Sequence, residues 1–208
     1  MLSKAQNKYI RSLSQQKYRK EYNVFIVEGD KIAREWLAAD ARIQMIVATG
    51  AWAGQNNTLI SAHSEATVHI VEAFELQAIS GLQTNNSVLL VVHHDVAELP
   101  DTLNEWCIAL DNLQDPGNMG TIIRIADWFG IRHIICSPDC VEAYNPKVVQ
   151  SAMGGHLRVN VYETDIKNFL ANTSMPVVAA TLHGESVYEM KRMDAGVLVI
   201  GNESKGIS

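Results

Sequence analysis

Apolar runs of strand length alternate with stretches of helical period along the whole chain. Ser3 stands where an N-cap would, and Ile10 and Leu13 fall three apart on one face of a first helix. The run 24–29 predicts a short strand ending at a glycine. Residues 30–39 predict a helix with Ile32, Trp36 and Leu37 on its apolar stripe. Residues 43–49, 67–71 and 87–93 predict further strands separated by helical stretches, an α/β unit over residues 1–95. The pattern breaks over 93–105, where charge and Pro100 interrupt it, so 96–104 reads as a linker, with His93, His94 and Asp95 at its solvated start.

A second alternation follows. Strands are expected at 106–112, 133–137, 157–162, 176–182 and 196–201, with helices at 118–130, 145–155 and 165–172. These unbroken apolar runs suit strands covered on both faces, as in a parallel sheet. The fold class is therefore α/β, with a parallel-sheet domain at 105–208. Ligands of such sheets bind beyond the carboxyl ends of the strands, which singles out loops 111–118, 181–184 and 201–206.

Charge changes the picture only through its distribution. The total is −6, yet Lys4, Lys8, Arg11, Lys17, Arg19 and Lys20 all precede the first acid, Glu21. Through residue 34 there are eight cations and three anions, a segment of +5 in a chain whose remainder carries −11. A basic arm of this kind suits a phosphate backbone, and a solvated helix face gives the same pattern. No run approaches the roughly 20 apolar residues of a membrane span, and the N-terminus lacks a secretory apolar core, so the chain reads as cytoplasmic. Cys107, Cys136 and Cys140 form no disulfide framework. With His133 the one soft ligand nearby, they read as buried or half-buried thiols, and no metal is expected.

Two loops carry the candidate chemistry. In "LDNLQDPGNMGTIIRIADWFGI" (110–131), Asp115, Pro116 and Gly117 make a turn and Asn118 can cap the next helix. Arg124 is the only Lys or Arg between Ile43 and Ile131. It either pairs with Asp111 or Asp115 or points into a site. In "GVLVIGNESKGIS" (196–208), Gly201 directly follows the strand, as if the backbone must pass close to a ligand, and Gly206 permits an unusual turn. Lys205 precedes its glycine, so no P-loop is present, and the Rossmann glycine pattern is absent too.

"DPGNMGTIIRIADWFG" together with "VLVIGNESKGIS" closely resembles motifs 1 and 2 of the SpoU branch of the SPOUT (TrmH-like) RNA methyltransferases. "YNPKVVQSAMGGHLRV" and "AATLHG" are similar to the same family, and "NKYIRSLSQQKYRKEYNVFIVEGDKIAREWL" resembles its L30e-like substrate-binding domain. The resemblance implies S-adenosylmethionine-dependent methylation of a ribose 2'-hydroxyl in rRNA or tRNA, with RNA rather than DNA as partner and a homodimer as the working form. It implies catalytic roles for Arg124, Asn118 and Glu203. An arginine holds its proton too firmly to be a good base, so positioning of hydroxyl or phosphate is its expected work. It also implies that the backbone of Thr181, Leu182, His183 and Gly184, and of Ile200, Gly201, Asn202 and Gly206, surrounds the cofactor. Lys8, Arg11, Lys17, Arg19 and Lys20 are the expected RNA contacts.

The sequence departs from the family pattern in two places. Gln150 and Ala152 stand where relatives often carry a basic residue and a serine. A third motif with a Ser-Leu-Asn-type sequence, which threads the α/β knot of the family, has no counterpart in these residues. The chain is thus expected to be C-terminally truncated, without the knot segment, and impaired in cofactor binding. Two other readings stand beside the enzyme. One is an RNA-binding module without catalysis, which predicts salt-dependent RNA binding and no cofactor binding. The other is an unrelated α/β enzyme that uses a small nucleotide.

Overall fold

The structure is a computed structural model that describes residues 2–83, 86–95 and 97–208. It divides into two compact units, Met1–Asp95 with Tyr144–Gly154, and Val96–Ala143 with Gly155–Ser208.

In the first unit Ser3 caps α1 (Lys4–Ser12) in a full capping box with Gln6. The expected single N-terminal helix is broken. The chain turns at Leu13–Gln15 and resumes as α2 (Gln16–Tyr22), which Asn23 ends in the left-handed region at φ 52°. Then come β1 (Val24–Glu28), α3 (Asp30–Ala38), β2 (Ile43–Thr49), α4 (Gly50–Gln55), α5 (Asn57–Ser61), β3 (Thr67–Val71), α6 (Ala73–Ile79) and β4 (Val88–His93). The four strands form one sheet in the order β1-β4-β2-β3. β4 runs antiparallel to both neighbours, and β2 pairs with β3 in parallel.

Strand alternation sorts the core of this unit onto two faces. Val24, Ile26, Met45 and Val47 pack with Ile10 of α1, with Leu13 just after it and with Leu76 and Ile79 of α6. Phe25, between Val24 and Ile26, meets Trp36 of α3 edge-on, with ring centroids 5.3 Å apart.

The second unit holds β5 (Cys107–Leu110), α7 (Pro116–Trp128), β6 (His133–Cys136), a 3-10 turn at Gly155–Leu157, β7 (Asn160–Glu163), α9 (Ile166–Asn172), β8 (Val177–Ala179) and β9 (Val197–Ile200). All five strands are parallel, in the order β7-β6-β5-β9-β8. The chain steps outward from β5 through β6 to β7, then resumes on the far side of β5. The strand order therefore reverses between β5 and β9. Cys107, Ala109, Ile135, Val197 and Val199 pack on one face with Ile166 and Phe169 of α9. Met119, Ile123 and Ala126 are the buried stripe of α7.

Two boundaries differ from the sequence reading. Residues 96–104 are not a free linker: Leu103 is buried in the second unit's core and Leu99 packs against it, while Val96 lies outside the described residues. His94 and Asp95 belong to the first unit, where the His94 ring packs tilted against Tyr144 (centroids 3.9 Å apart) and Asp95 pairs with Arg42 at 3.1 Å. The segment 144–154, expected within the 105–208 domain, packs with the first unit. Its helix α8 (Pro146–Ala152) lies on β1, and Tyr144 contacts Phe25 at 4.7 Å. Its apolar stripe is what moves it: Val148, Val149 and Ala152 are all buried.

Candidate active site

The reversal between β5 and β9 brings together two loops that are far apart in sequence. After Leu110 the chain enters Asp111 and Asn112, the latter left-handed at φ 56°. Asp115, not Asn118, caps α7. Its carboxylate accepts from the Asn118 N–H at 2.8 Å, with Pro116 at the first helical position. Capping needs a side chain just before the helix, and Asn118 is already inside it. That frees the Asn118 amide, whose Nδ2 donates to Glu203 Oε1. Loop 111–118 thus meets loop 201–206 through the two residues expected to shape the site.

Loop 201–206 is held by its own hydrogen bonds. Asn202 and Gly206 exchange two main-chain hydrogen bonds of 2.9 Å. Asn202 Oδ1 accepts from the N–H groups of Ser204 at 3.0 Å and Lys205 at 3.2 Å. Its Nδ2 donates to the Asn112 carbonyl at 2.8 Å. Asn202 therefore serves the loop through its side chain and its main chain alike. The close approach expected at Gly201 is to the loop itself, since a Cβ there would overlap the Gly206 backbone. Gly206 does make the unusual turn, at φ 73°.

Three residues to which the sequence reading gave no part in the site complete the scaffold. Asp111 is buried and accepts from the Ser208 N–H at 2.6 Å. The buried Ser137 hydroxyl accepts from the Asn112 N–H at 2.9 Å. Cys140 Sγ lies 3.3 Å from the Leu113 N–H and 3.2 Å from the Leu110 carbonyl. The placement of Asp111 and Asn112 directly after a buried strand was the available signal. Ser137 and Cys140 gave none, because they reach the loop only through the pairing of β5 with β6.

Hydrogen bonding from Cys136 and from Ser137 holds the Cys140 thiol down at about 6, although burial opposes it and the Leu110 carbonyl favours the protonated form. Cys136 is pushed up, first by that same hydrogen bond and then by burial, and burial lifts Cys107 to about 11. His133, the one other soft side chain near these thiols in sequence, faces Glu105 and Tyr162, each at 3.0 Å. Among the described residues no group of three His, Cys, Asp or Glu could hold a metal ion.

Arg124 is exposed and makes no ion pair with Asp111 or Asp115, each of which already has a backbone partner. Six residues on from Asn118, it lies about 9 Å further along the helix axis and on another face. Thr181 to Gly184 follow β8 and are exposed throughout, with Leu182 97% accessible. Lys8, Arg11, Lys17 and Lys20 are exposed on α1 and α2. Arg19 is not: it is 4% accessible, and its Nη1 donates to the Leu13 carbonyl at 2.7 Å. It faces inward on α2 and braces the turn between the two helices, so it leaves the set of RNA contacts.

The strand ends β5, β9 and β8 are neighbours in the sheet, so their three loops rise side by side. Half-buried Ile200 and Ile207, exposed Leu182 and main-chain polar groups make up this edge. That mixture suits an adenosine, whose flat base needs apolar contact and whose edge and ribose need hydrogen bonds. Among the described residues no helix is long and apolar enough to cross a membrane.

Comparison with known proteins agrees with this geometry. The SpoU rRNA methylase family model matches residues 105–208, and a model of the MRM3-like substrate binding domain matches residues 4–90. The 23S rRNA (guanosine(2553)-2'-O)-methyltransferase RlmP of Bacillus subtilis is 24% identical over 203 residues, covering 95% of this chain and 79% of that protein. A solved structure from Porphyromonas gingivalis, assigned to the TrmH family of RNA methyltransferases, is 36% identical with a TM-score of 0.85, over 100% of this chain and 84% of that one. An AdoMet-bound rRNA methyltransferase from Sinorhizobium meliloti is 25% identical with the same TM-score, over 100% and 82%. With its whole second half matched by that family model, the chain belongs to the SpoU rRNA methylase family.

Proposed function

We infer that this protein transfers a methyl group from S-adenosylmethionine to a ribose 2'-hydroxyl of rRNA or tRNA. The carrying observation is the locked pair Asn118–Glu203 at the reversal of strand order, inside a SpoU domain. The donor supplies an already activated methyl on a sulfonium. The 2'-oxygen forms the new C–O bond as the C–S bond breaks, the C–S electron pair stays on sulfur in the departing S-adenosylhomocysteine, and the hydroxyl proton passes to solvent water. The residues' task is alignment, which can supply several orders of magnitude in rate. Glu203 fixes the Asn118 amide and so presents a defined polar edge to the reacting groups. Arg124 orients the hydroxyl or its neighbouring phosphate. Main-chain groups of 181–184 and 200–206 hold the adenosine.

The division of labour follows the sequence: residues 1–95 bind RNA, with Lys8, Arg11, Lys17 and Lys20 on phosphates, and 105–208 carry out the transfer. The working form is a homodimer, a reading supported by Ile125, Trp128 and Phe129, which leave apolar side chains exposed at the end of α7. The test is transfer of labelled methyl from S-adenosylmethionine to rRNA and tRNA, followed by nucleoside analysis. Label on ribose is expected; label on base atoms would sink the assignment.

A further inference from the structure

The α1–α2 hairpin carries more than charge. Tyr18 and Tyr22, four apart on α2, lie nearly parallel, with rings inclined by 15° and centroids 6.2 Å apart. Tyr9 of α1 closes on Tyr22 edge-on at 5.2 Å, and its hydroxyl is pinned by donation to Gln44 Oε1 at 2.6 Å. The Lys17 ammonium sits 5.7 Å from the centre of the Tyr18 ring. Tyr9 and Tyr18 pack against the core, yet Tyr22 is 42% accessible. The ladder therefore ends in a ring surface that faces solvent.

Cations share the two helices with that ring. Lys8 and Arg11 are exposed on α1, Lys17 and Lys20 on α2, with Glu21 the sole acid of the two helices. Lys4, Asn7, Lys8 and Arg11 also line a shallow open hollow on α1. The buried Arg19 holds the turn between the helices, so the rings of the two helices keep their relative positions. A fixed aromatic face flanked by exposed cations matches one nucleic-acid form. In a duplex the base faces are occupied by their neighbours, whereas in a single strand they are free to stack on a side chain.

We propose that the Tyr18–Tyr22 ladder on the α1–α2 hairpin is a stacking platform for an unpaired RNA nucleotide, with Lys17 and Lys20 on the adjoining phosphates. The inference rests on RNA being the substrate and names the form of RNA that this part of the molecule holds. Loop, bulge or end nucleotides meet the requirement and continuous helix does not.

The test uses the full chain and fluorescence anisotropy, with an oligouridylate of about 12 nucleotides and its duplex with oligoadenylate as probes. Tyr22→Leu keeps an apolar side chain but removes the ring. It is expected to weaken single-strand binding about tenfold, to leave duplex binding and the melting temperature unchanged, and Tyr22→Phe is expected to restore affinity. Lys17→Ala with Lys20→Ala is expected to weaken both probes and lower the salt slope by about 1.5. An unchanged single-strand affinity in Tyr22→Leu, or equal losses for both probes, overturns the platform. Methyl transfer to rRNA separates the two levels. Transfer whose RNA KM is unmoved by Tyr22→Leu overturns the platform alone, while a wild-type chain that neither binds nor methylates any RNA overturns the wider reading.

Discussion

The two sheets start from the same alternation of strands and helices and arrive at different kinds of surface. In the first, β4 runs against both its neighbours, so the strands' carboxyl ends, and the loops that follow them, are divided between the two edges. Its recognisable chemistry lies outside the sheet, on α1 and α2. In the second, every strand runs the same way, and all the loops that follow strands gather at one edge. There Asp111, Asn112, Asn118, Asn202, Glu203 and Ser208 become neighbours although the chain between them spans most of the domain. Parallel pairing builds a site from distant residues, while a mixed sheet leaves its function to a helical face that is contiguous in sequence.

Substitutions can break this contrast. The largest effect is expected from Arg124→Ala, a drop of about 100-fold or more in methyl transfer with an unchanged melting temperature, since the side chain is exposed and makes no ion pair with Asp111 or Asp115. A fall in melting temperature that tracks the activity would instead make it structural. In the first unit the order inverts, because its most informative cation is buried. Arg19→Met is expected to cost about 2 kcal/mol in urea unfolding, through the lost bond to the Leu13 carbonyl, whereas Lys17→Ala and Lys20→Ala stay within about 0.5 kcal/mol. Equal costs would mean that Arg19 belongs with the surface cations after all.

A smaller effect tests whether the two site loops act as one. Asn118→Ala and Glu203→Ala are each expected to lower kcat about tenfold, and the double variant scarcely further, because either change removes the same contact. Additive losses would separate them. The smallest effect reports on the scaffold behind the site. Cys140, held near 6, is expected to alkylate first of the three thiols, with a rate that climbs as pH rises to about 6 and then levels. Cys107, lifted to about 11, and Cys136, also pushed up, stay unreactive at neutral pH. A folded-state value below the ordinary 9.0 means that the Cys140 thiolate adds stability above pH 9, which is lost as pH falls toward 6. A flat alkylation profile across pH 5–7 would show that the thiol is not held low by Cys136 and Ser137.

Periodicity and the two motifs decided much of this molecule without coordinates. Ser3 was legible as a cap, Ile10 and Leu13 as one buried face, and the apolar runs of the second half as parallel strands, because each depends on residues only a few positions apart. Asn118 and Glu203 were legible only through the family motifs, since nothing local to either one names the other. What failed, failed for one physical reason: the partner lay elsewhere. Arg19 looks like its neighbours Lys17 and Lys20 until α2 turns it toward Leu13. Gly201 gives no local sign that it lacks room for a side chain until the Asn202–Gly206 bridge folds the loop back on it. The helix at 146–152 looks like part of the domain that surrounds it in sequence until its buried stripe finds β1. The sequence by itself determined most of the elements and the family. Tertiary structure alone decided which carboxylate caps α7, which cation is buried and which loops meet, because these follow from strand order and from the competition for buried positions, and no short window of sequence contains either.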